Sequence, residues 1–108
     1  HPIYHTQKYH SGVDIGASYG ATIVAADGGT VITAGAVSGY GNCVVINHGN
    51  GITTLYGHMS SIAVSSGQKV SKGQTIGYVG STGNSTGPHL HWEVTVNGAR
   101  QNPLNYAR

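Results

Sequence analysis

The stretch from residue 89 to residue 96 reads His-Leu-His-Trp-Glu-Val-Thr-Val, and polar and apolar residues alternate throughout it. Alternation of this kind predicts a β-strand with one face turned to the core. His89 and His91 then lie on the same face with Cα atoms about 6.6 Å apart, while the leucine and tryptophan beside them turn to the core. Glu93 shares the histidine face, where its carboxylate can orient an imidazole ring. The strand therefore brings two imidazoles into one pocket.

The rest of the chain carries the same kind of pattern. β-Branched and aromatic residues fill short runs, and glycine, asparagine and serine fill the gaps between them. One gap contains Asn50-Gly51, a strong signal for a tight hairpin turn, and no window has the apolar spacing of a helix. The predicted fold is a mainly antiparallel β-sheet domain, with further strands at 31–34, 43–46, 52–56 and 75–79.

Size and composition restrict what the chain can do. With 108 residues it has room for one small domain with a single core. Its net charge of +2 comes from five basic and three acidic residues without a lysine or arginine cluster, which argues against nucleic-acid binding. No apolar run is long enough to span a bilayer. Cys43, the single cysteine, has no disulfide partner within the chain and is predicted to be a small core residue.

Histidine is the over-represented residue type, with seven histidines against three carboxylates. Imidazole suits both metal binding and proton transfer near neutral pH. In an extended strand the Cα atoms of His10 and Asp14 would be about 13 Å apart, so the chain must turn near Gly12 if both bind one ion. Two imidazoles and one carboxylate leave a zinc site open to water, which is typical of catalytic zinc. His58 and one of the two histidines of the 89–96 strand are then candidates for proton transfer.

Two residues near these motifs receive no chemical role. His48, just before Asn50-Gly51, is predicted to be a loop residue of the hairpin turn. Tyr40 is predicted to belong to the core or to the wall of a cleft, in a glycine-rich loop that can reach a substrate.

Taken together, these motifs resemble those of the M23 zinc metallopeptidases, also called the lysostaphin or LytM type. The resemblance runs from Tyr4 to the ending at 102–104 and rests on His10-x-x-x-Asp14, Gly57-His58, Gly80-Ser81-Thr82-Gly83, Gly87-Pro88-His89 and His89-x-His91. It implies a lysostaphin-type fold, similar to a duplicated hybrid motif. In this fold an antiparallel sheet forms the floor of a long groove, and we expect its loop walls at 36–41, 80–87 and 4–9.

The resemblance also implies a role for each site residue. His10, Asp14 and His91 are expected to bind one Zn²⁺ per chain, and His58 and His89 are expected to be the catalytic pair. Tyr4, six residues before His10, stands where some family members have a tyrosine that donates to the oxyanion. The expected residue type fills each of these positions, unlike the degenerate members that have lost zinc ligands and activate other hydrolases.

The function implied is a zinc-dependent endopeptidase that hydrolyses peptide bonds in bacterial peptidoglycan stem peptides or cross-bridges. Residues 1–108 are expected to be one M23-type peptidase domain, the C-terminal catalytic part of a longer envelope protein that acts outside the cytoplasm as a monomer. Two alternatives stay open, a non-catalytic module that binds peptidoglycan or activates another hydrolase, and a zinc amidase. The sequence does not define the bond that is cut or the biological role, and it does not divide the acid and base roles between His58 and His89.

Overall fold

The computed structural model describes residues 13–82, 87–97 and 99–101, and within these ranges the backbone forms strands and no helix. This confirms the predicted mainly antiparallel β-sheet, because every pair of strands is antiparallel. None of the described residues belongs to a helix long and apolar enough to cross a membrane. The strands are β1 (Val13–Gly16), β2 (Thr22–Val24), β3 (Gly29–Val37), β4 (Gly41–Gly49), β5 (Ile52–Ile62), β6 (Lys69–Val70), β7 (Thr75–Val79), β8 (His89–Val96) and β9 (Ala99–Gln101).

The strands are arranged around β5 and β8. Along the main part of the sheet the order is β1-β8-β5-β4-β3-β6, and β9 pairs with β8 on the same side as β1. The far end of β5 leaves this arrangement and pairs with β7, which in turn pairs with β2. The long strand β5 therefore joins the main sheet to a smaller layer folded over it.

The turn between β4 and β5 forms where the sequence predicts it. Asn50 and Gly51 both have positive φ, of 54° and 78°, as a hairpin turn with two left-handed residues requires. Asparagine and glycine are the residues that enter this region at least cost. The turn fixes the register in which β4 meets β5.

The core lies on the face of β8 that carries the tryptophan. Trp92 and Val94 are buried there, as the alternation predicts, and Leu90 packs against the same cluster. The largest fully buried side chains are Ile46, Met59, Ile76, Val31, Val44, Val94 and Cys43. Cys43 is therefore the small core residue that the sequence predicts.

A cavity of about 560 Å³ remains beside this core, between the main sheet and the smaller layer. Its lining is mostly apolar and includes Ile23, Ile52 and Trp92. The indole N–H of Trp92 is buried and has no hydrogen-bond acceptor among the residues that the structure describes.

His48 does not lie in a hairpin loop, so that prediction is wrong. It belongs to β4 and lines the cavity, with Nδ1 2.8 Å from the carbonyl oxygen of Gly28 and Nε2 2.7 Å from Oγ1 of Thr54. The Thr54 hydroxyl is hydrogen-bonded to the Tyr56 hydroxyl at 2.8 Å, and the backbone N–H of Ala26 donates to Tyr56 at 2.9 Å. Asn50 and Gly51 form the turn, and β4 continues through His48 to Gly49.

Candidate metal and catalytic site

Strand β8 places two of the predicted site residues on one face. His89 and His91 alternate with buried Trp92, and Glu93 follows on the histidine face. On the adjacent strand, Asp14 is directly opposite His91 in register. Opposite Cα atoms in an antiparallel pair are about 4.5–5.5 Å apart, so the backbone brings two predicted zinc ligands to neighbouring positions.

His58 reaches the same face by an irregularity in β5. Tyr56 pairs with Val44 while Met59 pairs with Asn42, so β5 has one more residue than β4 between these pairs. His58 lies in this bulge with a φ of 60°, a left-handed conformation that costs a non-glycine residue roughly 1–3 kcal/mol. Regular alternation would have turned its side chain to the core side with Tyr56. The bulge instead turns the ring toward the other two histidines.

The three imidazoles form a compact group. The ring centroid of His58 lies 4.9 Å from that of His89 and 5.9 Å from that of His91, and the His58 residue is buried. The structure thus brings together the three described histidines that the family resemblance marks as functional.

Backbone carbonyls orient two of these rings. Nδ1 of His58 is 2.6 Å from the carbonyl oxygen of Thr82, and Nδ1 of His89 is 2.8 Å from that of Gly87. A carbonyl oxygen only accepts, so Nδ1 carries the proton in each ring. In the neutral ring Nε2 is then the basic nitrogen, which is the form that a proton-transfer residue needs.

A buried carboxylate orients the third ring. Nε2 of His91 lies 2.8 Å from Oε2 of Glu93, which is only 4% exposed. The hydroxyl of Tyr40 donates to the same oxygen at 2.7 Å. With Nε2 donating to Glu93, Nδ1 is the ring nitrogen with the electron pair that a metal would take.

The described residues of the predicted groove walls include Tyr40 and Thr82, which both hydrogen-bond to His58. The backbone N–H of His58 donates to the carbonyl of Tyr40 at 2.7 Å, which attaches the 36–41 loop to the bulge. Thr82, in the 80–87 loop, accepts a hydrogen bond from the N–H of Asn42 and donates one to the carbonyl of Met59. Tyr40 and Thr82 therefore attach the described parts of both loops to the strands that carry the site.

The structure covers part of the predicted zinc site. His10, Tyr4 and the 4–9 wall lie outside the described residues, as do the side chain of Asp14 and residues 83–86. Among the side chains that the structure does describe, no three metal-ligating groups are placed to hold one ion. The donor types nevertheless suit zinc, since His91 has a carboxylate behind it and Asp14 is opposite it in register.

Cys43 has no part in this chemistry. It is fully buried, and burial followed by the charge of Glu93 raises the pKa of its thiol above the ordinary value. A raised pKa keeps the thiol protonated at neutral pH, and the protonated form is a poor nucleophile.

The sequence profile of peptidase family M23 matches residues 8–103 of the chain. The chain belongs to peptidase family M23. The fold and the histidine cluster described above are therefore those of an M23 protein.

Curated relatives of this M23 chain include both enzymes and an activator. The DD-carboxypeptidase/endopeptidase Mpg of Neisseria meningitidis is 47% identical over 107 residues, which is 99% of this chain and 25% of Mpg. The peptidoglycan DD-endopeptidase ShyA of Vibrio cholerae is 42% identical over 96% of this chain and 24% of its own length. The murein hydrolase activator NlpD of Salmonella typhimurium is 41% identical over 90% of this chain and 26% of its own length. The chain thus spans about a quarter of each of these relatives.

Solved structures match the M23 chain closely. The catalytic domain of lysostaphin from Staphylococcus simulans superimposes with a TM-score of 0.85 at 36% identity, covering 90% of this chain and 77% of that one. A zinc-containing peptidase from Vibrio cholerae superimposes with a TM-score of 0.83 at 39% identity, covering 86% of this chain and 29% of that one. These matches confirm the lysostaphin-type fold.

Proposed function

We propose that the chain is a zinc-dependent endopeptidase that hydrolyses peptide bonds in peptidoglycan stem peptides or cross-bridges. The observation that carries this proposal is the grouping of His58, His89 and His91 on one face of the sheet, each with a hydrogen-bond partner that orients its ring. The relatives named as peptidoglycan endopeptidases support the substrate class.

His10, Asp14 and His91 would hold one Zn²⁺ per chain. Two imidazoles and a carboxylate form a site with a remaining position for water, and the Vibrio neighbour described as zinc-containing supports the choice of metal. When bound, zinc lowers the pKa of a coordinated water and polarises a peptide carbonyl. The chain's own part at His91 is to keep Nε2 protonated against Glu93, so that Nδ1 would have the electron pair with which to bind the ion.

His58 and His89 would move the protons and stabilise the oxyanion. With Nδ1 bound to a carbonyl, Nε2 of either ring can take a proton from the attacking water and return one to the leaving amine. The acid and base roles are proposed for the pair together, because both rings have the same tautomer and their centroids lie 4.9 Å apart. Tyr4 is proposed as a further donor to the oxyanion.

Residues 1–108 are proposed to form one M23-type domain of a longer envelope protein. The enzyme is proposed to act outside the cytoplasm as a monomer. The main alternative is an activator, since NlpD is a relative of this kind. An activator needs the fold and its surface but gains nothing from two histidines with basic Nε2 atoms beside a metal-ligand position. That difference favours the enzyme.

Mass spectrometry of the products from purified peptidoglycan tests the proposal. We expect new peptide amino and carboxyl termini that disappear when a zinc chelator is added and return with Zn²⁺, together with about one zinc per chain. Release of intact peptides from the sugar would identify an amidase instead. Bound zinc without cleavage of several wall types, combined with stimulation of a second hydrolase, would replace the enzyme by the activator.

A further inference from the structure

Tyr40 touches two parts of the site at once. It lies in the turn between β3 and β4, where its own N–H donates to the carbonyl of Val37. We infer that Tyr40 is a positioning residue, whose hydroxyl holds the metal ligand His91 in place through Glu93 while its backbone is anchored at His58. This inference rests on the proposed function, because it takes His91 to be a zinc ligand.

The hydroxyl contact is to the carboxylate behind the ligand. Oε2 of Glu93 accepts from the Tyr40 hydroxyl at 2.7 Å and from Nε2 of His91 at 2.8 Å. Glu93 is buried, and a buried carboxylate depends on donors around it, since charge-assisted hydrogen bonds replace its lost hydration. Two donors on one oxygen fix both the distance and the direction from which that oxygen meets His91.

The ring of Tyr40 restricts His91 directly as well. The two ring centroids are 5.5 Å apart with planes inclined by 34°. Gly57, which pairs with His91 on the neighbouring strand, lies within van der Waals reach of this ring. A Cβ on Gly57 would lie 3.4 Å from Cδ1 of Tyr40 and 3.6 Å from Cβ of His91. The tyrosine ring therefore packs over the strand position next to the ligand.

The backbone of Tyr40 holds the residue at the bulge. Its carbonyl accepts the N–H of His58 at 2.7 Å, and His58 is the residue with the left-handed φ. A shift of the 36–41 loop would disturb both this bond and the hydroxyl's bond to Glu93. Tyr40 thus links the backbone of His58, a proposed catalytic residue, to Glu93, the carboxylate that orients the proposed zinc ligand His91.

The test compares Tyr40→Phe with the control Tyr78→Phe, which removes a hydroxyl from a partly exposed tyrosine of β7. Phenylalanine keeps the ring and the backbone carbonyl and removes the hydroxyl that donates to Glu93. The zinc dissociation constant is measured by competition with a chromophoric chelator, and the geometry at the metal by the visible absorption of the Co²⁺-substituted protein. Glu93→Gln and the double variant Tyr40→Phe/Glu93→Gln complete a double-mutant cycle.

We expect Glu93→Gln to weaken zinc binding by roughly 10–100-fold, as for the loss of other partners that orient a metal ligand. Tyr40→Phe, one bond further out, should weaken it by about 3–10-fold and alter the Co²⁺ spectrum, with kcat lowered and KM unchanged at saturating zinc. The double variant should bind zinc no more weakly than Glu93→Gln alone, because the tyrosine acts through the glutamate. Tyr78→Phe should match the parent protein.

Several outcomes would overturn the inference. An unchanged zinc affinity and Co²⁺ spectrum in Tyr40→Phe would remove the positioning role, and so would full additivity in the cycle. A parent protein that binds no zinc after reconstitution would overturn it together with the ligand assignment. A parent that binds zinc without cleaving peptidoglycan would contradict the proposed function alone, since the affinity and the spectrum still report on Tyr40.

Discussion

The two faces of the sheet use histidine in different ways. On the cavity side, both ring nitrogens of His48 are hydrogen-bonded to Gly28 and Thr54, and the threonine continues to Tyr56. On the other side, His58 and His89 are each held at Nδ1 by a loop carbonyl, and their ring centroids lie 4.9 Å apart with planes inclined by 58°. Nδ1 meets a backbone carbonyl in all three rings, so each neutral ring carries its proton there. Nε2 of His48 is bonded to Thr54 in a chain of hydrogen bonds that ties strands together, whereas His58 and His89 pack against each other on the face that carries His91. Residue type alone does not reveal this difference.

The largest effect that would separate the two faces is expected for His91→Ala. Removing a proposed zinc ligand should abolish stoichiometric zinc binding and reduce hydrolysis by more than the roughly 10–100-fold that follows loss of an outer partner. Metal analysis after dialysis, together with product analysis, measures both. Retention of one tightly bound zinc would show that His91 is not a ligand. His48→Gln is the matched control, a histidine change on the cavity face that should leave zinc in place.

His89→Ala should separate catalysis from metal binding within the site. Because this ring is proposed to move protons without holding the metal, zinc should stay bound while kcat falls by roughly 10²–10⁴-fold. Steady-state kinetics and metal analysis on the same preparation test the two halves of the statement. Full activity in this variant would contradict the assigned role, and loss of zinc would make His89 a ligand.

The strand pattern was predictable from the sequence because alternation and Asn-Gly turns are local signals. Period-two alternation in 89–96 placed His89, His91 and Glu93 on one face and Trp92 on the other, as the structure has them. Composition could not predict that His58, which lies far from His89 and His91 in the chain, joins them on that face. The family resemblance pointed to them, and the roles of the site residues stay predictions.

What sequence reasoning missed depends on the backbone path. Regular alternation would turn the side chain of His58 toward the core. The bulge, with its positive φ, turns the ring to the face that carries His89 and His91. Glycine at the preceding position, Gly57, was the one local signal that the strand could be irregular there. The bond from Tyr40 to Glu93 joins residues 53 positions apart in sequence, which no single-sequence pattern encodes. The Asn50-Gly51 signal marks the turn but not the residue at which β4 ends, and the strand continues through His48.

On the cavity face, Thr54→Val should lower stability and spare the site. The change keeps the size of a buried side chain but leaves His48 Nε2 and the Tyr56 hydroxyl without their shared partner. An unsatisfied buried polar group costs about 1–3 kcal/mol, so the free energy of unfolding should fall by about that amount. Denaturant unfolding measures it, with zinc content and kcat as the control. Equal stability would show that the chain of hydrogen bonds contributes nothing net.

The smallest effect is the pH dependence of the stability that Tyr56 contributes as a member of these hydrogen bonds. Burial raises the pKa of Tyr56 above its ordinary value of 10.0, the charge of Asp27 adds to this, and the hydrogen bonds from Thr54 and Ala26 oppose it. A raised pKa in the folded state means that the folded protein holds the phenolic proton more tightly than the unfolded chain does. The resulting stability is fully present below the unfolded pKa and is lost as pH rises through the folded one.

Tyr56→Phe should be less stable than the parent at neutral pH by about 1–3 kcal/mol, because it removes the hydroxyl that accepts the Ala26 N–H and bonds to Thr54, although Thr54 keeps His48 as its other partner. As the pH rises above about 10, the ordinary pKa of the phenol, the gap should narrow, because only the parent loses the contribution of the phenol. Denaturant unfolding of both proteins at several pH values measures the gap, and Cys43, whose pKa is raised in the same direction, is present in both. A gap that widened with pH would mean that the folded protein favours the phenolate, and the cavity face would then resemble the site face in stabilising a charged form.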